Sequence, residues 1–134
     1  MHVVVGGVDG ANIKGISGGW VRNFMLSVGG MVRVSLKYRL VMDKSYDSGE
    51  CGQAVVALDG VLVGPGPGDF LWEFCGTNPN VAANQDSGWQ TVTFEVEGVG
   101  AGPHTLTVGG WNNLKNSKSE QTKVFFDEIE LRVH

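Results

Sequence analysis

Residues 31–42, "MVRVSLKYRLVM", decide the architecture. Val32, Val34, Leu36, Tyr38, Leu40 and Met42 fall on one face of an extended chain. Arg33, Ser35, Lys37 and Arg39 fall on the other. A period of two over a dozen residues is the mark of a half-buried antiparallel strand. The same reading extends outward. "GWVRNFMLSV" (19–28) precedes it, and "QAVVAL" (53–58) follows, closing on Asp59-Gly60, a favoured hairpin dipeptide. "FLWEFC" (70–75), "WQTVTFEV" (89–96), "HTLTV" (104–108) and "KVFFDEIELRV" (123–133) are further strands. No stretch carries a convincing amphipathic helical pattern. Seven or eight strands with glycine-rich turns predict an all-β fold, an antiparallel β-sandwich of jelly-roll type.

The chain has 134 residues, enough for one hydrophobic core. It is 42% hydrophobic and 18% charged, a globular composition. No linker or repeat divides it, so residues 1–134 read as one domain, compatible with a module of a larger secreted protein. A formal net charge of −4 argues against a phosphate-tracking surface, and nucleic acid is not expected as a partner. No apolar run is long enough to span a membrane as a helix, and membrane is not expected either. The opening "MHVVVGGVDG" does not read as a signal peptide, and a module within a longer chain would not begin with one. Cys51 and Cys75 are either two buried thiols or one cross-strand bridge.

Alternating the strand directions gathers three long loops at one end: "DKSYDSGE" (43–50), "GTNPNVAANQDSG" (76–88) and "WNNLKNSKSE" (111–120). Cys51 and Cys75 then sit at the base of these loops. Long polar loops at one end of a rigid sandwich are a usual place for binding. Trp111 stands beside Asn112 and Asn113, an aromatic ring next to amides. Such a ring either lids the core end or stacks on a sugar face while the amides bond hydroxyls. Tyr46 offers a second ring. Asp47, Glu50, Asn112 and Asn113 are expected to bond hydroxyls or a metal, and Glu120 to support its loop.

Catalysis is not expected. His2 and His134 are terminal, His104 falls in a turn, and no serine has a nucleophile elbow or a histidine partner. Calcium suits the oxygen-rich, histidine-poor loops. Asp127 is a sharper metal candidate. In "VFFDEIELRV" it shares parity with Phe125, Ile129, Leu131 and Val133, a face expected to point inward. An inward carboxylate needs a metal, a basic partner or backbone donors, unless a β-bulge turns it outward.

"VRVSLKYRL", "VVALDG", "GWQTVTFEVEGVGAGPHTLTVGGWNN" and "VFFDEIEL" together resemble the jelly-roll carbohydrate-binding modules of extracellular microbial enzymes, and similar domains of large adhesins. The resemblance spans residues 19–133. It implies a non-catalytic, extracellular glycan-binding module, with a structural calcium held by the aspartate of the closing strand, here Asp127. Family members place a further acidic ligand on the first strand, where this chain offers only Asp9. The expected metal ligands are thus Asp127, Asp9, Asp47 and Glu50. The alternatives are a calcium-stabilised structural or adhesive module of a large extracellular protein, and a small polysaccharide-active enzyme.

Overall fold

The computed structural model describes residues 1–6, 13–65 and 68–134, and the side chains of residues 13–17 fall outside the description. Among the described residues ten strands form: β1 (His2–Gly6), β2 (Ile13–Leu26), β3 (Gly30–Met42), β4 (Cys51–Leu58), β5 (Val61–Val63), β6 (Phe70–Cys75), β7 (Gln85–Asp86), β8 (Gln90–Val99), β9 (Gly102–Lys115) and β10 (Gln121–Val133). They make two antiparallel sheets. One runs β1-β10-β3, with β7 and β8 along the far edge of β3. The other runs β2-β9-β4, with β5 and β6 along the far edge of β4. This is a jelly-roll β-sandwich.

The register explains the burial. Val32, Val34, Leu36 and Leu40 of β3 are at most 1% exposed, as period two requires. Ala54 and Val56 of β4, Leu106 and Val108 of β9, and Val124 and Phe126 of β10 meet them between the sheets. Tyr38 belongs to this core, and its hydroxyl donates to the Leu71 carbonyl at 3.1 Å. Burial raises the Tyr38 pKa. Cys51 and Cys75 are opposed residues of β4 and β6 and form a disulfide.

The strands differ from expectation in three places. β1 also alternates, with Val3 and Val5 buried and Val4 exposed, and it pairs with β10. β9 continues to Lys115, so Trp111, Asn112 and Asn113 are strand residues and not loop residues. Flanking strands hold it in register: Ile13 opposes Lys115 on one side and Gly52 opposes Asn112 on the other. In β10 the inward residues are Thr122, Val124 and Phe126, the opposite parity to that expected. A bulge between Asp127 and Glu130 then switches the faces, which brings Ile129 and Leu131 against the core.

Candidate functional site

Three segments meet at one end of the sandwich: 43–50, 76–88 and 116–120. Asn80 Nδ2 donates to the Tyr46 carbonyl at 2.9 Å, and the Lys44 amide donates to Asn84 Oδ1 at 2.9 Å. Asn113 Nδ2 donates to the Gly49 carbonyl at 2.8 Å, and its Oδ1 accepts the Cys51 amide at 2.7 Å. Gly76 lies so close to the backbone of the first loop that a Cβ there would fall on the carbonyl oxygens of Tyr46 and Asp47.

Beneath these loops the interior becomes polar. Period two carries the inward row of β9 from Leu106 and Val108 to Asn112, and that of β10 back to Thr122 and Glu120. Tyr46, Glu50, Asn112, Glu120 and Thr122 are all at most 2% exposed. Gly52 leaves room for the Thr122 side chain, which a Cβ would meet at 2.6 Å. The Tyr46 hydroxyl accepts from Asn112 Nδ2 at 2.6 Å and from Thr122 Oγ1 at 3.3 Å. Burial, chiefly, pushes its pKa up to about 12. Glu50 accepts the Asp47 amide at 2.7 Å and Asn116 Nδ2 at 2.7 Å. Burial raises its pKa, the Asp47 amide opposes that rise, and the neighbouring Glu120 and Asp47 add to it. Glu120 Oε2 accepts the amides of Asn116 (2.6 Å) and Ser117 (2.9 Å), closing the turn before β10. Asn112 Oδ1 is buried and has no hydrogen-bond partner among the described residues.

This placement revises several expectations. Tyr46 cannot stack on a sugar, because its ring is enclosed. Asn112 and Glu50 point into the interior and do not reach a ligand at the surface. Asn113 spends its amide on the adjacent loop. Asp47 is exposed and accepts Asn80 Nδ2 at 3.2 Å. Asp127 is exposed, not inward: it follows Phe125 on the outward row of β10, just before the bulge, and its Oδ1 accepts the Glu128 amide at 2.8 Å. Asp9 lies outside the described residues.

The loop end offers calcium a further candidate position. Among the described residues Asp127 belongs to no group of three candidate ligands. Asp47, Glu50 and Glu120 do form one, with carboxylate oxygens within 4.8 Å of one another. An all-oxygen donor set of this kind suits calcium, and the orphaned Asn112 oxygen lies in the same polar plug. A second group, Cys51, Glu73 and Cys75, offers no thiolate because its sulfurs are bonded to each other.

Trp111 lies elsewhere, on the outer face of the second sheet. Outward residues form rows across the strands. Trp111 opposes Gln53, which opposes Glu73, and Gly19 opposes Gly109, which opposes Val55. Gln53 Nε2 donates to Glu73 Oε2 at 2.6 Å. At Gly19 and Gly109 the backbones of β2 and β9 approach so closely that a Cβ on either would strike the opposite strand. The result is a groove of about 240 Å³ bordered by Gly18, Gly19, Val55, Ala57, Thr107 and Gly109. Half-exposed Trp111 stands one step along β9 from its floor. Sequence reading missed Gln53, Glu73 and the glycine floor. The signal lay in the paired glycines at 18–19 and 109–110 and in the parity of "QAVVAL".

No family model matches the chain, and no curated protein matches it. Several solved structures are similar. One is a family 61 carbohydrate-binding module in complex with β-1,4-galactotriose, at 15% identity and TM-score 0.41, covering 92% of this chain and 69% of that one. The C-terminal domain of EclA, described as a sugar-binding protein, matches at 8% identity and TM-score 0.40, covering 98% and 77%. A family 4 carbohydrate-binding module matches at 12% identity and TM-score 0.39, covering 99% and 94%. At such identities and scores these likenesses add no argument about a site, and the assignment of the architecture rests on the strand register above.

Proposed function

We propose that this chain is a non-catalytic carbohydrate-binding module that takes its glycan along the outer face of the second sheet. The observation that carries this reading is Trp111 beside a groove where glycines leave the backbones of β2 and β9 bare. A sugar ring presents an apolar C–H face and a rim of hydroxyls. Indole suits the first, and the Gln53–Glu73 pair next to it suits the second. The loop-end groups, expected from sequence to be ligands, act in this reading as the scaffold holding the end of that face. The proposed partner is thus a polysaccharide or oligosaccharide. The Cys51–Cys75 disulfide supports an extracellular setting, since such bonds persist in oxidising compartments.

Calcium is the proposed cofactor, held by Asp47, Glu50 and Glu120. It would neutralise the buried carboxylates and tie segment 43–50 to the start of β10. A second reading, a calcium-stabilised structural or adhesive module, is favoured by how completely the loop-end groups bond to one another.

A glycan-array screen in calcium and in EDTA tests the proposal, followed by titration of any hit against Trp111→Ala. The expected result is a hit whose affinity falls at least tenfold in Trp111→Ala while the fold persists. Unchanged affinity in that variant would remove the outer face as the site. An array without hits in either buffer would favour the structural module.

A further inference from the structure

The sandwich is open along one side. The outer edge of β10 is covered by β1 as far as Phe125, which opposes His2, and by Met1, whose backbone bonds to that of Phe126. Among the described residues, β10 pairs beyond the bulge only with β3, and β2 pairs only with β9. Residues from both uncovered edges line a cleft of about 320 Å³, within the range of small-ligand sites. Its floor is core: Leu106, Val108 and Phe126 are at most 4% exposed.

The walls are chemically mixed. Trp20 of β2 is 54% exposed, and its Nε1 donates to the His2 carbonyl at 3.4 Å, which orients the ring. Across the cleft the β10 bulge presents Asp127 and Glu128. Glu128 has φ +49°, a left-handed backbone that a non-glycine residue adopts at a cost of about 1 kcal/mol or more. That conformation falls at the rim of the cleft, which both residues line. One oxygen of Asp127 is occupied by the Glu128 amide, and one oxygen of Glu128 by Lys37 Nζ at 3.1 Å. Each carboxylate keeps a second oxygen without a hydrogen bond among the described residues. Arg22, also lining the cleft, makes no ion pair among the described residues.

We propose that this cleft is a second carbohydrate subsite, which takes a single neutral pyranose, with its C–H face on Trp20 and its hydroxyls shared between the Asp127 and Glu128 carboxylates and the Arg22 guanidinium. Arg22 lines the cleft together with the two carboxylates, and Lys37 bonds one of them, so side chains of both signs border it. Hydroxyls both donate and accept, and so satisfy carboxylate and guanidinium together. The proposal rests on the carbohydrate reading above and adds a site to it.

The test follows the four tryptophan indole N–H signals of the whole chain by ¹H–¹⁵N NMR. The probes are methyl β-galactoside, methyl β-glucoside and methyl β-xyloside, each titrated into wild type, Trp20→Ala, Arg22→Gln and Trp111→Ala. The expected result is a saturable shift of the Trp20 signal with at least one probe. It should persist in Trp111→Ala, weaken at least fivefold in Arg22→Gln, and have no counterpart in Trp20→Ala. A Trp20 signal that stays in place while the Trp111 signal moves would overturn the second subsite and leave the first reading standing. If no indole signal moves with any probe, this proposal fails, and the array result decides the first reading separately.

Discussion

His104 and Glu50 make the fold sensitive to pH in different windows. His104 Nδ1 faces Asp59 Oδ2 at 2.7 Å, and its Nε2 faces the Gly100 carbonyl at 2.7 Å. Only the doubly protonated ring donates to both oxygens. The Asp59 hydrogen bond, then the Gly100 carbonyl, raise the His104 pKa. The folded state therefore holds this proton more tightly than the unfolded chain. The contribution is fully present below the unfolded value near pH 6.5 and is lost as pH rises through the folded pKa. Thermal melts between pH 5 and 9 should show a decline in this window that His104→Gln flattens. Glu50 behaves differently because it is a buried acid. Its raised pKa, caused first by burial, means that stability falls as pH rises from about 4.5 through its folded value. In EDTA, Glu50→Gln should flatten that part of the profile. An unchanged slope would show that the carboxylate is already neutralised.

Among the elements, β4 and β6 gain most from covalent linkage. The Cys51–Cys75 bond joins opposed residues 24 apart in sequence, at the root of segments 43–50 and 76–88. Closing a loop of this length is worth about 3 kcal/mol on the chain-entropy account. Reduction, or the Cys51→Ala/Cys75→Ala double variant, should lower the melting temperature by about 10 °C or more for a domain of this size. A shift near zero would mean that the β4–β6 ladder holds the loop end unaided. The bulge in β10 is the other element-scale device. Without its extra residues, the parity that buries Val124 and Phe126 would continue to Glu128 and Glu130, and two charges would enter the core. The switch brings Ile129 and Leu131 inward instead and leaves Asp127 outside.

At the scale of the molecule, two sheets close over an apolar centre, and one end is plugged by polar groups. Two buried carboxylates in that plug, where Lys115 is buried as well, have a high desolvation cost unless a proton or a cation accompanies them. If calcium is that cation, the melting temperature should rise in calcium relative to EDTA, and Glu120→Gln should abolish the difference. Identical melting curves in the two buffers would remove calcium from the proposed function. The plug lies apart from the Trp111 face, so Trp111→Ala should leave both curves in place while weakening glycan binding. A variant that lost calcium stabilisation as well would show that the two are coupled.

Period two in "MVRVSLKYRLVM" was enough to establish the all-β class, the inward face of β3 and the gathering of three segments at one end, because alternation along a strand is a local property. Composition was enough to make a phosphate-binding surface unlooked for. The roles of single residues were not legible in the same way. Tyr46 and Asn112 are enclosed because strands distant in sequence close over them. Trp111 is outward because β2 and β4 extend β9 past the expected turn. Asp127 is outward because the first half of β10 buries the parity of Val124 and Phe126, and the bulge that follows hides this by turning Ile129 and Leu131 inward. Burial depends on which strands lie opposite, and pairing across more than a hundred residues is decided by the sum of all the contacts in the sandwich, not by any one stretch of the chain.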